Sequence, residues 1–307
     1  MLLEQVLPWL GTFEGQVALV TGASSGIGRV TALMFGRRGA RVALAARRKE
    51  LLDGVASEIA KGGGRALVVP TDVGDARSAR TAVARVRRAW GRVDILVNNA
   101  GVLVPSTVAS LKAADLESML RVNLFGALFM TQMVLPVMQR QESGVIINVA
   151  SLAGRRGVSP LGGYCATKFG LVGLTEALRT EFGGSKLHVG LVMPGVVETP
   201  MVQGIDQDAI LSEWPSLFNM PPEWIAAAVA LAARFRLHEI SVPPGAATLE
   251  VVAALAPGAA DALIGWMRAA GRLIAAGTNR RSDLHRGRRR SSRTQRPRRG
   301  KSRNGKS

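Results

Sequence analysis

Residues 16–28 read QVALVTGASSGIG, an apolar run that breaks at three closely spaced glycines and then opens a helical pattern. After Gln16 the run is continuously apolar rather than alternating, as expected of a strand covered on both faces. Gly22, Gly26 and Gly28 allow a tight turn and a close backbone approach to a pyrophosphate, which the free N–H groups and positive dipole end of the next helix stabilise. Glycines also mark ordinary tight turns; the place of these, between a first strand and a first helix, is what gives them weight.

Working outward, further short runs rich in Val, Ile and Leu fall at 41–45, 66–70, 93–97, 145–149, 189–193 and 239–242. Helical patterns lie between them at about 26–38, 49–61, 76–90, 113–140, 161–182 and 222–235. Strict alternation of the two predicts an α/β, Rossmann-type doubly wound domain, a seven-stranded parallel sheet with helices on both faces, over residues 1–244. Its ligand belongs outside the carboxyl ends of the strands. Residues 245–277, rich in Ala, Gly and Leu, predict a helical C-terminal appendage in which Leu263, Trp266, Met267 and Ile274 share a face. Residues 278–307 hold almost nothing apolar and predict a disordered tail.

The formal charge of +18 is concentrated in that tail, which carries thirteen Lys/Arg against Asp283, a net +12, leaving +6 for residues 1–277. A polyanionic partner, nucleic acid or an anionic membrane surface, is therefore an expectation for the tail and not for the folded part. The opening MLLEQVLPWLG has neither a basic start nor a cleavage pattern and reads as a docking segment. The longest uncharged stretch, 122–139, contains Asn123, Thr131, Gln132 and Pro136, which fits a core helix better than a membrane span. One cysteine, Cys165, excludes an internal disulfide and suits a reducing, cytoplasmic setting. No metal site is expected.

The chemistry turns on a scarcity: Tyr164 is the only tyrosine, and in YCATK it places Lys168 one helical turn away on the same face. A phenol with a pKa of about 10 needs about 4 kcal/mol of preferential phenolate stabilisation to work near neutrality, and a neighbouring ammonium supplies much of that. Ser151, at the end of the fifth run, is placed to hydrogen-bond a substrate oxygen as it gains charge. Asn123 is a poor helix former inside a helix. Taken singly, Ser151 and Asn123 have plainer readings, as a strand end and a backbone partner. After the second run stand Ala46, Arg47 and Arg48, about 20 residues past the glycines, where a carboxylate on the ribose is common. A missing acid and an available guanidinium favour NADP(H) over NAD(H), against the alternative of a solvated helix start.

Taken together, these features closely resemble the short-chain dehydrogenase/reductase family over about residues 14–244. The resemblance rests on TGASSGIG at 21–28, Asp72-Val73, NNAG at 98–101, Asn123, Ser151, Tyr164-x-x-x-Lys168, and Pro194-Gly195 followed by Thr199. It implies an NAD(P)-dependent interconversion of a carbonyl and a secondary alcohol. Tyr164 would be general acid/base, Lys168 would lower its pKa and bind the nicotinamide ribose, Ser151 would position the carbonyl, and Asn123 would hold a relay water. The cofactor would lie along Gly22, Ser24, Ser25, Gly26, Ile27 and Gly28, with Arg47 near the ribose, Asp72 and Val73 at the adenine, and Asn99, Ala100 and Gly101 lining the cleft. Pro194 and Gly195 would also touch the cofactor, and Val197 and Thr199 would meet the nicotinamide. Asn98 ties the sheet together in this reading. The resemblance further implies a homodimer or homotetramer paired through the 113–140 and Tyr164 helices, the first of which is apolar around most of its circumference. An apolar segment before Glu223, with Met201, Ile205, Leu211, Trp214, Leu217, Phe218 and Met220, points to a lipophilic small-molecule substrate. The competing function is a non-catalytic nucleotide-binding scaffold or sensor; it has no evident need for Asn, Ser, Tyr and Lys in register.

Overall fold

The computed structural model describes residues 10–203 and 220–245, with isolated positions at 255, 256, 258 and 262. Seven parallel strands, β1 (Val17–Thr21), β2 (Arg41–Ala46), β3 (Arg65–Pro70), β4 (Ile95–Asn98), β5 (Gly144–Val149), β6 (Leu187–Pro194) and β7 (Glu239–Val242), form one sheet in the order β3-β2-β1-β4-β5-β6-β7. This is the expected doubly wound fold. Several boundaries move by one or two residues: β1 and β4 start later and end on Thr21 and Asn98, while β6 begins at Leu187.

Alternation along β1 shows why the strands are apolar throughout. Ala18 and Val20 face one core and Val17 and Leu19 the other, all four wholly buried. On the first face pack α1 (Gly26–Arg37), α2 (Lys49–Lys61) and α7 (Pro222–Phe235), joined by Leu10 and Phe13. On the second pack α3 (Ala76–Trp90), α5 (Gly126–Arg140) and the end of α6 (Gly162–Glu181). Each fully buried Val or Leu contributes about 1.5–3 kcal/mol, so a two-faced sheet tolerates no polar residue at these positions without a partner.

The pattern at 113–140 resolves into α4 (Ala113–Leu120), a π-helical turn at Arg121–Phe125, and α5. By length and composition Ala113–Arg140 would suffice to cross a membrane, but here Met130, Val134 and Met138 are wholly buried against the sheet. The predicted appendage, apart from the isolated positions, and the basic tail lie outside the described residues, as does the segment before Leu10.

The strand order reverses between β1 and β4, and the crevice beyond their carboxyl ends is where a doubly wound sheet takes its ligand.

Candidate functional site

Thr21, the last residue of β1, organises the crevice. Its Oγ1 donates to the Val97 carbonyl (3.1 Å) and accepts from the N–H groups of Asn99 (2.9 Å) and Ala100 (3.1 Å). Asn99 returns a bond from Nδ2 to the Thr21 carbonyl (3.0 Å), locking the segment after β4 to the glycine-rich turn. Gly22 has φ +68, and a Cβ there would stand 2.8 Å from Asn99 Nδ2. A Cβ on Gly28 would lie 2.3 Å from the Gly22 carbonyl oxygen. The turn is thus too tight for any other residue at these two positions.

Behind it, α1 begins at Ser25 with no side-chain cap and no acid in its first turn, so its leading N–H groups face the crevice with the positive end of the dipole. Thr199 closes the other side: a Cβ on Gly26 would meet its Cγ2 at 3.1 Å. A narrow cradle of backbone, uncapped helix N–H groups and small side chains fits the phosphates of a dinucleotide. Past β2, Arg47 is exposed, while Arg48 reaches back so that Nη2 donates to Ser24 Oγ and Ser25 Oγ, each at 3.4 Å. Asp72, exposed after β3, accepts the Gly74 N–H at 3.0 Å, and Val73 is buried beside it.

Of the four residues expected to carry the reaction, Ser151, Tyr164 and Lys168 meet at the carboxyl end of β5, and Asn123 joins them through Thr167. Lys168 is 4% exposed; its Nζ donates to the Val149 carbonyl (3.0 Å) and lies 5.6 Å from the centre of the Tyr164 ring. Ser151 starts a short turn at Leu152–Gly154, donating from Oγ to the Pro194 carbonyl (3.3 Å) and accepting from Ala153 N–H (3.1 Å). Burial pushes the Tyr164 phenol up to about 12, opposed by a hydrogen bond with Ser151. Burial also brings the Lys168 ammonium down to about 8.

Asn123 sits in the π-helical turn, a local distortion often found at functional sites. Its Oδ1 accepts from Val102 N–H (2.8 Å), and Nδ2 donates to the Val102 carbonyl (2.9 Å) and to Thr167 Oγ1 (3.0 Å). Thr167 in turn donates to the Tyr164 carbonyl (2.8 Å), linking the Asn123 turn to the helix of Tyr164 and Lys168. The Thr167→Val variant keeps the shape but leaves a buried amide proton of Asn123 without a partner. It should lose about 1–3 kcal/mol of stability to urea and lower kcat without changing KM for the cofactor, with Thr167→Ser restoring both. Unchanged kcat in Thr167→Val would show that the link does not position the site.

Neither Thr21 nor Thr167 stood out in the sequence, although both lie inside quoted motifs. A threonine ending a strand, or three residues past a tyrosine on a helix, looks like an ordinary propensity choice until its partners are known. A third set, Asn148, Thr131 and Thr175, was also unseen. Asn98 Nδ2 donates to Asn148 Oδ1 (2.9 Å) and Thr131 Oγ1 (3.1 Å), and Asn148 Nδ2 to Thr175 Oγ1 (2.9 Å), so Asn98 does tie β4 to β5. Cys165 points away from the site, its Sγ accepting from Val158 N–H at 3.4 Å. Of the apolar segment before Glu223, Met201 is 39% exposed at the crevice and Met220 is buried; Ile205, Leu211, Trp214, Leu217 and Phe218 lie outside the described residues.

A model of the short chain dehydrogenase family matches residues 16–210, the segment that builds both cradle and catalytic cluster. The chain belongs to the short-chain dehydrogenase family. It is 37% identical over 196 residues to the 3-oxoacyl-(acyl-carrier-protein) reductase of Thermotoga maritima, covering 64% of this chain and 80% of that protein. It is 38% identical over 224 residues to the D-threitol dehydrogenase of Mycolicibacterium smegmatis, covering 71% and 86%. Among solved structures, a levodione reductase superposes with a TM-score of 0.72 at 29% identity, covering 76% of this chain and 99% of that one. Like other short-chain dehydrogenases, this chain is an NAD(P)-dependent oxidoreductase that interconverts a carbonyl and an alcohol.

Proposed function

We propose that the chain is an NADP(H)-preferring carbonyl reductase or alcohol dehydrogenase in which Tyr164 moves the proton. The observation that carries the reading is the convergence of Ser151, Tyr164 and Lys168 beside a cradle with two arginines, and no acid, directly after β2. A bound nicotinamide supplies or accepts the hydride. Ser151 then hydrogen-bonds the substrate oxygen, and the Tyr164 hydroxyl donates its proton as negative charge develops there. A phenol pushed up to about 12 by burial stays protonated at neutral pH, the form that reduction needs. Lys168, brought down to about 8, is still mostly an ammonium at neutral pH, and its charge beside the ring lowers the cost of the phenolate left behind. Asn123 holds a water through which the proton is replaced, its amide held by Val102 and Thr167.

The cofactor preference rests on Arg47 and Arg48 at the 2′-position, with Arg48 over the serines of the glycine-rich turn. Arg47→Ala/Arg48→Ala should weaken NADPH binding by roughly tenfold to a hundredfold and leave NADH nearly unchanged, measured by fluorescence titration of both cofactors. Equal effects on the two cofactors would sink the assignment. The exposed middle of the Ala113–Arg140 segment, with Phe125 46% exposed and stacked on Phe129, together with Phe169 at 44%, supports pairing with a second copy through this face. Light scattering at micromolar concentration should report a dimer or tetramer, and a strictly monomeric mass would rule the pairing out. Met201 beside the crevice supports a lipophilic substrate. The tail's contact with nucleic acid or an anionic membrane rests on its +12 charge alone.

A further inference from the structure

A cavity of about 320 Å³ lies at the other end of the sheet from the cofactor cradle, where α6 ends, β6 begins and the chain turns toward β7. Its wall carries Arg179, Arg236, His188, His238 and Ser185 beside the apolar Phe182 and Leu187, and among the described residues it has no carboxylate. Backbone carbonyls hold the two guanidiniums and the His188 imidazole in place. Arg179 donates from Nε to Val189 (3.0 Å) and from Nη2 to His238, Arg236 donates from Nη1 to Lys186 (3.0 Å), and His188 Nε2 bonds the Leu237 carbonyl (3.0 Å). The two imidazoles lie 5.3 Å apart. Glu176 and Glu239, whose charges act on Arg179, are each held by Arg155, at 2.8 Å and 2.9 Å.

A concave wall with two fixed guanidiniums and, among the described residues, no facing acid focuses positive potential, and guanidinium, imidazole and hydroxyl donors match the oxygens of a phosphate. The volume exceeds that of a bare phosphate and leaves room for a small organic group. We propose that this cavity binds a phosphate dianion, carried on a small phosphomonoester or free. Nothing in the reaction at the opposite end of the sheet requires it, so its failure would leave the proposed function standing.

The histidines give a site-specific readout, because the chain has three and only His285 lies in the basic tail. Full-length protein saturated with NADPH, so that the cofactor cradle is filled, is titrated by NMR with inorganic phosphate, glycerol phosphate, and chloride at matched ionic strength and fixed pH. The proposal expects saturable shifts of His188 and His238 with phosphate and not with chloride. It also expects Arg236→Gln to weaken them by roughly tenfold or more, the size of one lost charge-assisted bond. Tighter binding of glycerol phosphate identifies the monoester as ligand; tighter binding of inorganic phosphate identifies the free ion. Signals that move no more than in chloride, movement confined to His285, or shifts that Arg236→Gln leaves intact would each overturn it. The native-chain titration decides even where the variant does not fold.

Discussion

Tyr164→Phe should fold and bind the reduced cofactor as the native chain does, yet lose turnover by roughly a thousandfold or more. The substitution removes one oxygen whose bond with Ser151 is not needed for the packing of α6, since the helix is held by Thr167, Cys165 and Lys168 through other partners. What disappears is the group proposed to give a proton to the substrate oxygen. Thermal unfolding and cofactor fluorescence check the first two expectations and steady-state kinetics the third. Turnover close to that of the native chain would remove Tyr164 from the mechanism.

Lys168→Met should show a comparably large loss of turnover, together with a stability difference whose size depends on pH. The folded ammonium titrates near 8, against 10.5 for an ordinary lysine. Between those values the unfolded chain holds a proton that the folded chain has released, so the native protein gains stability as pH rises through the window. Below about 8 both states are protonated and the fold carries the full cost of a buried ammonium. Relative to Lys168→Met, the native chain should therefore gain about 3 kcal/mol between neutral pH and the upper end of the window. Tyr164 acts in the opposite sense at higher pH: its folded value of about 12 lies above the ordinary 10, and stability falls as pH rises across that interval. Urea unfolding of both proteins over pH measures this, and a difference that stays flat with pH would show that Lys168 is not buried as a titrating group.

Much of this arrangement was legible in the residues. Two-faced burial forces continuous apolar strands, so runs such as VALVT and VIINV announce themselves, while contacts that any side chain would violate demand the glycines at 22 and 28 and a φ of +53 favours the one at 26. Tyr164 and Lys168 were visible because helical spacing brings residues four apart together. Apart from Asn98, the polar framework was not legible, because its partners are distant in sequence: Thr21 meets Asn99, Asn123 meets Thr167, and Asn148 meets Thr175. The π-helical turn was hidden for another reason. A single extra residue in one turn leaves the apolar periodicity of 113–140 nearly intact, so the sequence reads as one regular helix. The sequence reading put Arg47 at the ribose, but adjacent long side chains reach similar volumes, and it is Arg48 that contacts Ser24 and Ser25.

The most direct measurement mixes the full-length chain with NADPH or NADH and a panel of ketones and aldehydes, following absorbance of the reduced nicotinamide. The account predicts carbonyl-dependent oxidation, faster with NADPH, that vanishes in Tyr164→Phe while cofactor binding persists. A native chain that binds the cofactor but passes hydride to no carbonyl, and takes it from no alcohol in the reverse assay, would contradict it.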